Sequence, residues 1–236
     1  MRTRIFTHGW DLLDIFFPPR CAGCDKWGER YCTSCQEKTH KINSSMCQVC
    51  GEPGINSSLS TCQRCQNSPP LYSALRSWAY FEGPLQKAIH QLKYKRNLGL
   101  ANTLAQPLIE LFRSIKWEID LVSAIPLDRA RKRERGYNQS LLIARPLAWE
   151  TRLPLEISAV KRIRNTRSQV GLTLNERKTN VQDAFRADSG RVWGKSVLLI
   201  DDVATTGATL NSCAAALRDA GATNVYGLTL ARSMHY

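Results

Sequence analysis

The chain lacks any apolar run near the ~20 residues that a membrane-spanning helix needs. The apolar segment Leu12–Phe17 is short, and Asp14 and Pro18 interrupt it. No secretory leader pattern is present either. The sequence therefore predicts a cytoplasmic protein without stable membrane insertion.

Two common nucleotide-binding signatures are also missing. Neither GxxxxGK[ST] nor GxGxxG occurs, which excludes a P-loop and a dinucleotide fingerprint. Acidic residues are few: 20 Asp and Glu stand against 33 Lys and Arg, giving a net charge of +13. This balance favours polyanionic partners such as nucleic acid, phosphate-rich ligands or anionic membranes, and the alternative is a solvated basic surface. The 43% apolar fraction excludes wholesale disorder.

Cysteine is nearly confined to the first part of the chain. Eight of the nine cysteines precede residue 66, and only Cys213 follows. The polar, proline-containing stretch Gln66–Pro70 is typical of a linker. We therefore predict two domains, residues 1–68 and residues 69–236, with Cys213 as a buried core residue.

The eight early cysteines form four CxxC pairs. They are Cys21/Cys24, Cys32/Cys35, Cys47/Cys50 and Cys62/Cys65. Two such knuckles make a four-thiolate zinc site with no open position, so the sequence predicts a double zinc ribbon with two structural zinc ions. Sequential pairing closes shorter loops than interleaved pairing and is preferred, although the sequence allows both, and an iron–sulfur cluster is a further alternative. Disulfides are not expected in a reducing compartment.

The second domain alternates helix and strand patterns. Helical spacing covers Leu85–Leu92, Leu98–Phe112, Tyr137–Trp149 and Leu210–Leu217, with Pro107 expected to bend or split the second helix and Gly221 to end the last. Strand-like apolar runs cover Leu121–Ile125, Leu155–Val160, Val197–Ile200 and Val225–Leu230. This alternation predicts an α/β fold with a parallel sheet flanked by helices.

The segment Val197–Leu210 carries the most informative motif. An apolar strand ends in Asp201 and Asp202, and the loop Thr205-Thr206-Gly207-Ala208-Thr209 then opens a helix. Free N–H groups, hydroxyls and a close glycine backbone suit a phosphate. The two carboxylates instead suit sugar hydroxyls, or magnesium held by them. Together they predict a ribose 5-phosphate ligand; the alternative is an ordinary strand–turn–helix.

Basic residues gather in three clusters. They are Lys93, Lys95 and Arg96; Arg129, Arg131, Lys132, Arg133 and Arg135; and Lys161, Arg162, Arg164 and Arg167. Such clusters bind phosphates without sequence preference, in a salt-dependent way. Tyr94 and Tyr137 are candidates for stacking on unpaired bases, or are half-buried packing residues.

These motifs resemble the ComF/GntX family, the competence protein F group, over nearly the full length. The Val197–Leu210 motif is similar to the phosphoribosyl-pyrophosphate (PRPP) signature of type I phosphoribosyltransferases. Further similar segments are Leu92–Lys95, Ile125–Leu127, Arg135–Gln139, Thr166–Leu172 and Asn180 with Ala184-Phe185.

The resemblance implies a type I phosphoribosyltransferase-like fold with a magnesium–PRPP pocket. In that pocket Asp201 and Asp202 contact the ribose hydroxyls, and Thr205–Thr209 hold the 5-phosphate. The turn Pro126-Leu127-Asp128-Arg129 faces the pyrophosphate, and Arg164–Arg177 is the candidate loop that closes over PRPP. The chemistry implied is displacement of pyrophosphate, with no acceptor identifiable in the sequence.

The resemblance also associates the chain with natural transformation and the use of external DNA. Three functions stay open. The first is handling of incoming single-stranded DNA in the cytoplasm, with PRPP as a pocket ligand. The second is an active phosphoribosyltransferase in nucleotide salvage. The third is a zinc-ribbon adaptor docking other competence proteins, such as a helicase or import-channel proteins.

Overall fold

The computed structural model describes residues 18–55, 59–164 and 184–233. Its N-terminal part contains two cysteine-rich ribbons, each with a five-residue helix: α1, Thr33–Glu37, and α2, Gln63–Asn67. Among the described residues, no helix has the length and apolarity needed to cross a membrane.

The remainder alternates strands and helices, as the sequence predicts. The elements are β1 Ala74–Tyr80, α3 Gly83–Tyr94, α4 Leu100–Ser114, β2 Leu121–Ala124, α5 Arg129–Arg135, α6 Gln139–Thr151, β3 Val160–Arg162, β4 Phe185–Ala187, α7 Ser189–Val192, β5 Ser196–Ala204, α8 Ala208–Asp219 and β6 Asn224–Arg232. Four strands form a parallel sheet in the order β1-β6-β5-β2, whereas β3 and β4 form a separate antiparallel pair. The predicted parallel α/β fold is confirmed.

The central strands are apolar because both of their faces are covered. On β5, Leu198 and Ile200 join one core cluster with side chains of α3, α4 and α6. Val197 and Leu199 join the other cluster, which includes residues of α8. Alternating side chains of one strand thus fill two cores, as expected for a parallel strand between helical layers.

The helix α8 has the predicted apolar face and the predicted end. Leu210, Cys213, Ala214 and Leu217 are all buried, which confirms Cys213 as a core residue. Gly221 follows with a φ of +93°, a left-handed conformation that favours glycine after a helix end.

Two details of the sequence prediction change in the structure. Pro107, expected to bend or split its helix, does not split it, since α4 continues through it. One lost hydrogen bond is offset by the buried side chains on both sides, such as Leu104 and Leu108. The predicted strand Leu155–Val160 is reduced to one parallel bridge between Leu155 and Val122, and the strand β3 starts only at Val160.

The ribbons cover the outer edge of the sheet at β1. Ile42 N donates to Trp78 O at 3.0 Å, and Tyr80 N donates to His40 O at 2.9 Å. Leu75 N donates to Val49 O of the second ribbon at 2.8 Å. The polar backbone of an edge strand is thereby satisfied within the chain.

Candidate functional site: two cysteine clusters and the carboxyl edge of β5

The eight ribbon cysteines gather into two clusters, and the grouping is the sequential one. Their thiol sulfurs lie within 4.8 Å of one another in each set: Cys21, Cys24, Cys32 and Cys35 in the first, and Cys47, Cys50, Cys62 and Cys65 in the second. The Cys21–Cys35, Cys24–Cys32 and Cys50–Cys62 sulfur pairs are each 3.6 Å apart. A tetrahedral zinc with bonds of about 2.3 Å needs sulfurs about 3.7 Å apart, so both clusters fit the ion.

Backbone N–H groups donate to one sulfur in each cluster and thereby stabilise its thiolate, the form that binds a metal cation. Cys32 N donates to the Cys21 sulfur at 3.3 Å, and Cys62 N donates to the Cys47 sulfur at 3.3 Å. Burial opposes ionisation of Cys21, but these N–H groups outweigh it and lower its pKa to about 6. Burial raises the pKa of Cys35 strongly. Four thiolates together therefore require a bound cation, and all four positions are filled by sulfur, which is the pattern of structural zinc.

The paired carboxylates lie in the carboxyl-terminal part of β5, which continues beyond the predicted strand end to Ala204. Asp201 Oδ1 accepts from Ser140 Oγ at 2.8 Å and from the N–H of Asp202 at 2.9 Å. Asp202 points into the other face, where Lys93 Nζ lies 3.0 Å from its Oδ2. That oxygen is buried and receives no well-aligned hydrogen bond from a described residue, so the ammonium group is its main compensation.

Asp201 resists ionisation. Burial raises its pKa to about 7, and the neighbouring charge of Asp202 adds to the rise, while Ser140 opposes it. The native state thus retains the Asp201 proton above the ordinary aspartate pKa of about 4. The free energy of unfolding should therefore fall as the pH rises from about 4 to about 7, because over this range the unfolded chain has lost the Asp201 proton and the folded chain still holds it.

We expect Asp201→Asn to unfold at a higher temperature than the wild type at pH 8, by about 5–10 °C, because a pKa raised to about 7 corresponds to an ionisation cost of up to about 4 kcal/mol. The neutral amide keeps a carbonyl acceptor for Ser140 and removes the buried charge. Calorimetric melting between pH 5 and pH 8 checks this result. The difference should shrink toward pH 5, and a difference that does not vary with pH would contradict the raised pKa.

The predicted phosphate loop, Thr205–Thr209, joins β5 to α8. Gly207 has a φ of +77° and stands at the N-cap of the twelve-residue helix α8. Thr206 Oγ1 accepts from Ala208 N at 3.2 Å. All five loop residues are partly exposed. The first turn of α8 thus presents backbone donors at an accessible edge, next to the two aspartates.

The predicted pyrophosphate-facing turn lies at the end of the neighbouring strand β2. Ile125 N donates to Ile200 O at 3.0 Å, so this strand end lies beside the end of β5. Pro126 and Leu127 are half-buried, and Arg129 is exposed. Asp128 is buried and caps α5, accepting from Arg131 N at 2.9 Å. The turn and the two aspartates therefore lie close together at the carboxyl ends of the neighbouring strands β2 and β5.

The predicted nucleic-acid contacts divide into outward and inward side chains. The exposed ones are Lys95, Arg96, Lys132, Arg133 and Arg164. Arg131 and Tyr137 are half-buried, and the Tyr137 hydroxyl donates to Leu92 O. Arg167 lies outside the described residues, as does the segment 165–177 of the predicted closing loop.

Two of these predicted contacts point into the protein. Lys93 reaches Asp202, as described above. Arg135 is 9% exposed and donates to Gln139 Oε1 at 2.9 Å. Its guanidinium carbon also lies 4.9 Å from the ring centroid of Tyr94, whose side chain is 62% exposed. The buried Arg135 guanidinium therefore packs against the protein-facing side of the exposed Tyr94 ring.

Comparison with known proteins agrees with both halves of the chain. A double zinc ribbon domain model matches residues 12–66, and a phosphoribosyl transferase domain model matches residues 100–236. The chain is 33% identical to the DNA utilization protein YhgH of Escherichia coli K12 over 213 residues, covering 88% of this chain and 92% of that protein. Competence protein F of Haemophilus influenzae is 29% identical over 209 residues, covering 86% of this chain and 90% of that protein.

The chain belongs to the YhgH and competence protein F family. Competence protein ComFC of Bacillus subtilis is a further relative, 29% identical over 214 residues, which cover 87% of this chain and 85% of ComFC. The fold, the double zinc ribbon and the family membership predicted from sequence are thus confirmed. The chain is a competence-related, phosphoribosyltransferase-like protein.

Three residues near the carboxyl end of the sheet were not predicted from the sequence. Ser140 contacts Asp201, and Tyr72 lies against Gly207. Arg232, at the end of β6, is 1% exposed and donates to Cys50 O at 2.8 Å and to Glu52. No local pattern marks them, because each acts through a contact distant in sequence.

Proposed function

We propose that the protein binds magnesium–PRPP at the carboxyl edge of β5 and single-stranded DNA on the adjacent basic surface. It would thereby handle DNA in the cytoplasm during natural transformation. The observation that carries this proposal is the convergence on one sheet edge of Asp201, Asp202, the Thr205–Thr209 loop and the basic helix α5. The names of the relatives, which refer to competence and DNA utilization, support the biological context.

The charge of the aspartate pair favours a diol. Lys93 compensates Asp202, and the raised pKa of Asp201 shows that a second full charge is costly there. Such a pair suits hydroxyl groups, which donate hydrogen bonds, better than it suits a magnesium ion bound only by protein. Magnesium held by the ribose diol and the pyrophosphate would neutralise ligand charge. In this proposal Thr205–Thr209 donate to the 5-phosphate.

The turn after β2 completes the proposed PRPP pocket. Residues Pro126, Leu127, Asp128 and Arg129 lie beside the end of β5, where a ribose on the aspartates would direct its pyrophosphate. Arg129 is exposed and supplies a cation for that group. We place the domain boundary at residues 68 and 69, before the segment that leads into β1.

The proposed DNA surface consists of the exposed basic residues named above around α3 and α5. We call this set, Lys95, Arg96, Lys132, Arg133 and Arg164, the basic face. Exposed ammonium and guanidinium groups contact phosphates and release counterions, so binding should weaken steeply with salt. The exposed ring of Tyr94 lies among them and offers a stacking surface for an unpaired base.

Fluorescence anisotropy of a labelled single-stranded oligonucleotide tests the DNA part of the proposal. We expect Lys132→Ala with Arg133→Ala to weaken binding about tenfold at low salt and to reduce the salt slope by about 2. Both residues are exposed on α5. Competition by magnesium–PRPP would place both ligands at one edge.

The matched control is Lys116→Ala with Lys195→Ala, which removes two exposed charges where β2 and β5 begin, at the opposite edge of the sheet. It should change oligonucleotide binding far less than the α5 pair. Equal losses would assign the binding to net charge alone. Failure of the wild type to bind DNA at low salt would remove the DNA function.

An active phosphoribosyltransferase is the second candidate. The aspartate pair, the proposed phosphate loop and the proposed pyrophosphate-facing turn would together supply the groups that PRPP chemistry requires. A screen of nucleobases and amines for pyrophosphate release from PRPP tests it. The third possibility, docking of other competence proteins through the ribbons, is compatible with the first.

A further inference from the structure

Tyr72 connects the second cysteine cluster to the phosphate loop. Its ring is buried, with 4% exposure, in the core cluster that contains Cys47, Cys50 and Cys65. Its hydroxyl oxygen lies 3.1 Å from the position that a Cβ would take at Gly207. The hydroxyl end of a buried side chain is therefore directed at the turn that begins α8.

This hydroxyl has no hydrogen-bond partner among the residues that the structure describes. The rest of the Tyr72 side chain is buried, so the hydroxyl is the end at which this residue can meet a ligand, an ion or a water molecule at the loop. A tyrosine hydroxyl is protonated at neutral pH and can donate a hydrogen bond. At the Gly207 turn its natural acceptor is an oxygen of an anion bound to the loop.

The backbone on both sides of Tyr72 is fixed. Leu71 N donates to Asn211 Oδ1 of α8 at 2.6 Å, and Ser73 N donates to Val225 O of β6 at 2.6 Å. The helix α8, which follows the phosphate loop, and the strand β6 thus fix the backbone on both sides of the tyrosine. Its hydroxyl needs no reorganisation to meet a ligand, which favours binding.

We propose that the Tyr72 hydroxyl is a ligand-binding donor for the phosphate seated at the Thr205–Thr209 loop. This inference rests on the proposed PRPP function and deepens it. The second ribbon then has a role in ligand binding, since its cysteine cluster packs against the Tyr72 ring. Glycine also suits position 207, because a Cβ there would lie tightly against the hydroxyl and the φ of +77° disfavours a side chain.

Tyr72→Phe tests this inference because phenylalanine keeps the ring that packs on the cysteines and removes only the hydroxyl. We expect the variant to bind magnesium–PRPP and ribose 5-phosphate about tenfold more weakly in calorimetric titrations, the usual effect of losing one hydrogen bond to a charged group. Magnesium–pyrophosphate, which has no 5-phosphate, should bind both proteins equally. Zinc content should stay unchanged.

Tyr31→Phe is the matched control. Tyr31 is buried beside the first cysteine cluster, and its hydroxyl already contacts Thr39 Oγ1 at 2.5 Å. This variant should lose some thermal stability and keep wild-type affinity for all three ligands.

The possible outcomes distinguish the role of the Tyr72 hydroxyl from the proposed binding of PRPP. Wild-type affinity of Tyr72→Phe for ribose 5-phosphate would overturn the role of Tyr72 and leave the PRPP pocket standing. An equal loss for pyrophosphate would also overturn it, since the defect would then be general. Absence of PRPP and ribose 5-phosphate binding by the wild type would overturn both.

Discussion

Replacing both aspartates with asparagine should weaken magnesium–PRPP binding by more than 100-fold. Asp201 and Asp202 lie at the end of β5, next to the loop proposed to hold the phosphate. A carboxylate that accepts from a ribose hydroxyl contributes about 1.5–3 kcal/mol, and losing two such acceptors removes about 3 kcal/mol or more. Isothermal titration of the double variant measures this loss.

The fold should tolerate Asp201→Asn, whereas Asp202→Asn leaves the largely buried Lys93 ammonium without its carboxylate, so the melting temperature of the double variant is measured beside its affinity. Asparagine has nearly the same volume as aspartate and keeps an acceptor for Ser140. The control is Glu118→Gln with Asp219→Asn, which removes two exposed carboxylates before β2 and at the end of α8. The control should bind PRPP as the wild type does. PRPP affinity preserved in the Asp201→Asn, Asp202→Asn protein would remove the pocket from this edge.

Removing zinc should destabilise the whole protein and not only the ribbons. The second ribbon covers the buried Arg232, which donates to Cys50 O and to Glu52. Val49 O of the same ribbon accepts from Leu75 N of the edge strand β1. When the ribbon loses order, Arg232 loses its partners, at about 3–5 kcal/mol for an uncompensated buried charge. That cost corresponds to a fall in melting temperature on the order of 10 °C, which scanning calorimetry with and without a chelator measures.

Single cysteine variants make the zinc test specific. Cys47→Ser should lower the zinc content from about two ions per chain to about one and reproduce the instability. Cys213→Ala is the control, because Cys213 is buried in α8, outside both clusters. It should keep two zinc ions. Elemental analysis that finds no zinc in the wild type would contradict the assignment of both clusters.

Local patterns predicted most of this fold. The Val197–Ile200 run and the spacing of Leu85 to Leu92 identified a buried strand and a buried helix face, because burial imposes these periodicities directly. The four CxxC pairs predicted both clusters for a similar reason, since ligand spacing is set within a few residues. The strand β1 went unpredicted, because the alternating pattern of Ala74–Tyr80 includes polar positions that face the ribbons and solvent.

Long-range contacts could not be predicted in the same way. Lys93 was assigned to the basic surface from its neighbours Lys95 and Arg96, and the structure pairs it with Asp202 across two elements. Tyr72 follows the predicted linker Gln66–Pro70 and carries no motif, yet its hydroxyl reaches Gly207. Which residue meets which depends on the order of strands in the sheet, and that order is not encoded in any short segment.

Isothermal titration of the wild-type protein with magnesium–PRPP is the decisive measurement for the proposed site at the carboxyl end of β5. We expect saturable binding of one PRPP per chain, with an affinity that falls below pH 7 as Asp201 takes up its proton. We also expect weaker binding without magnesium. If a protein that holds its two zinc ions gives no measurable heat of binding at millimolar magnesium–PRPP, this edge does not bind PRPP.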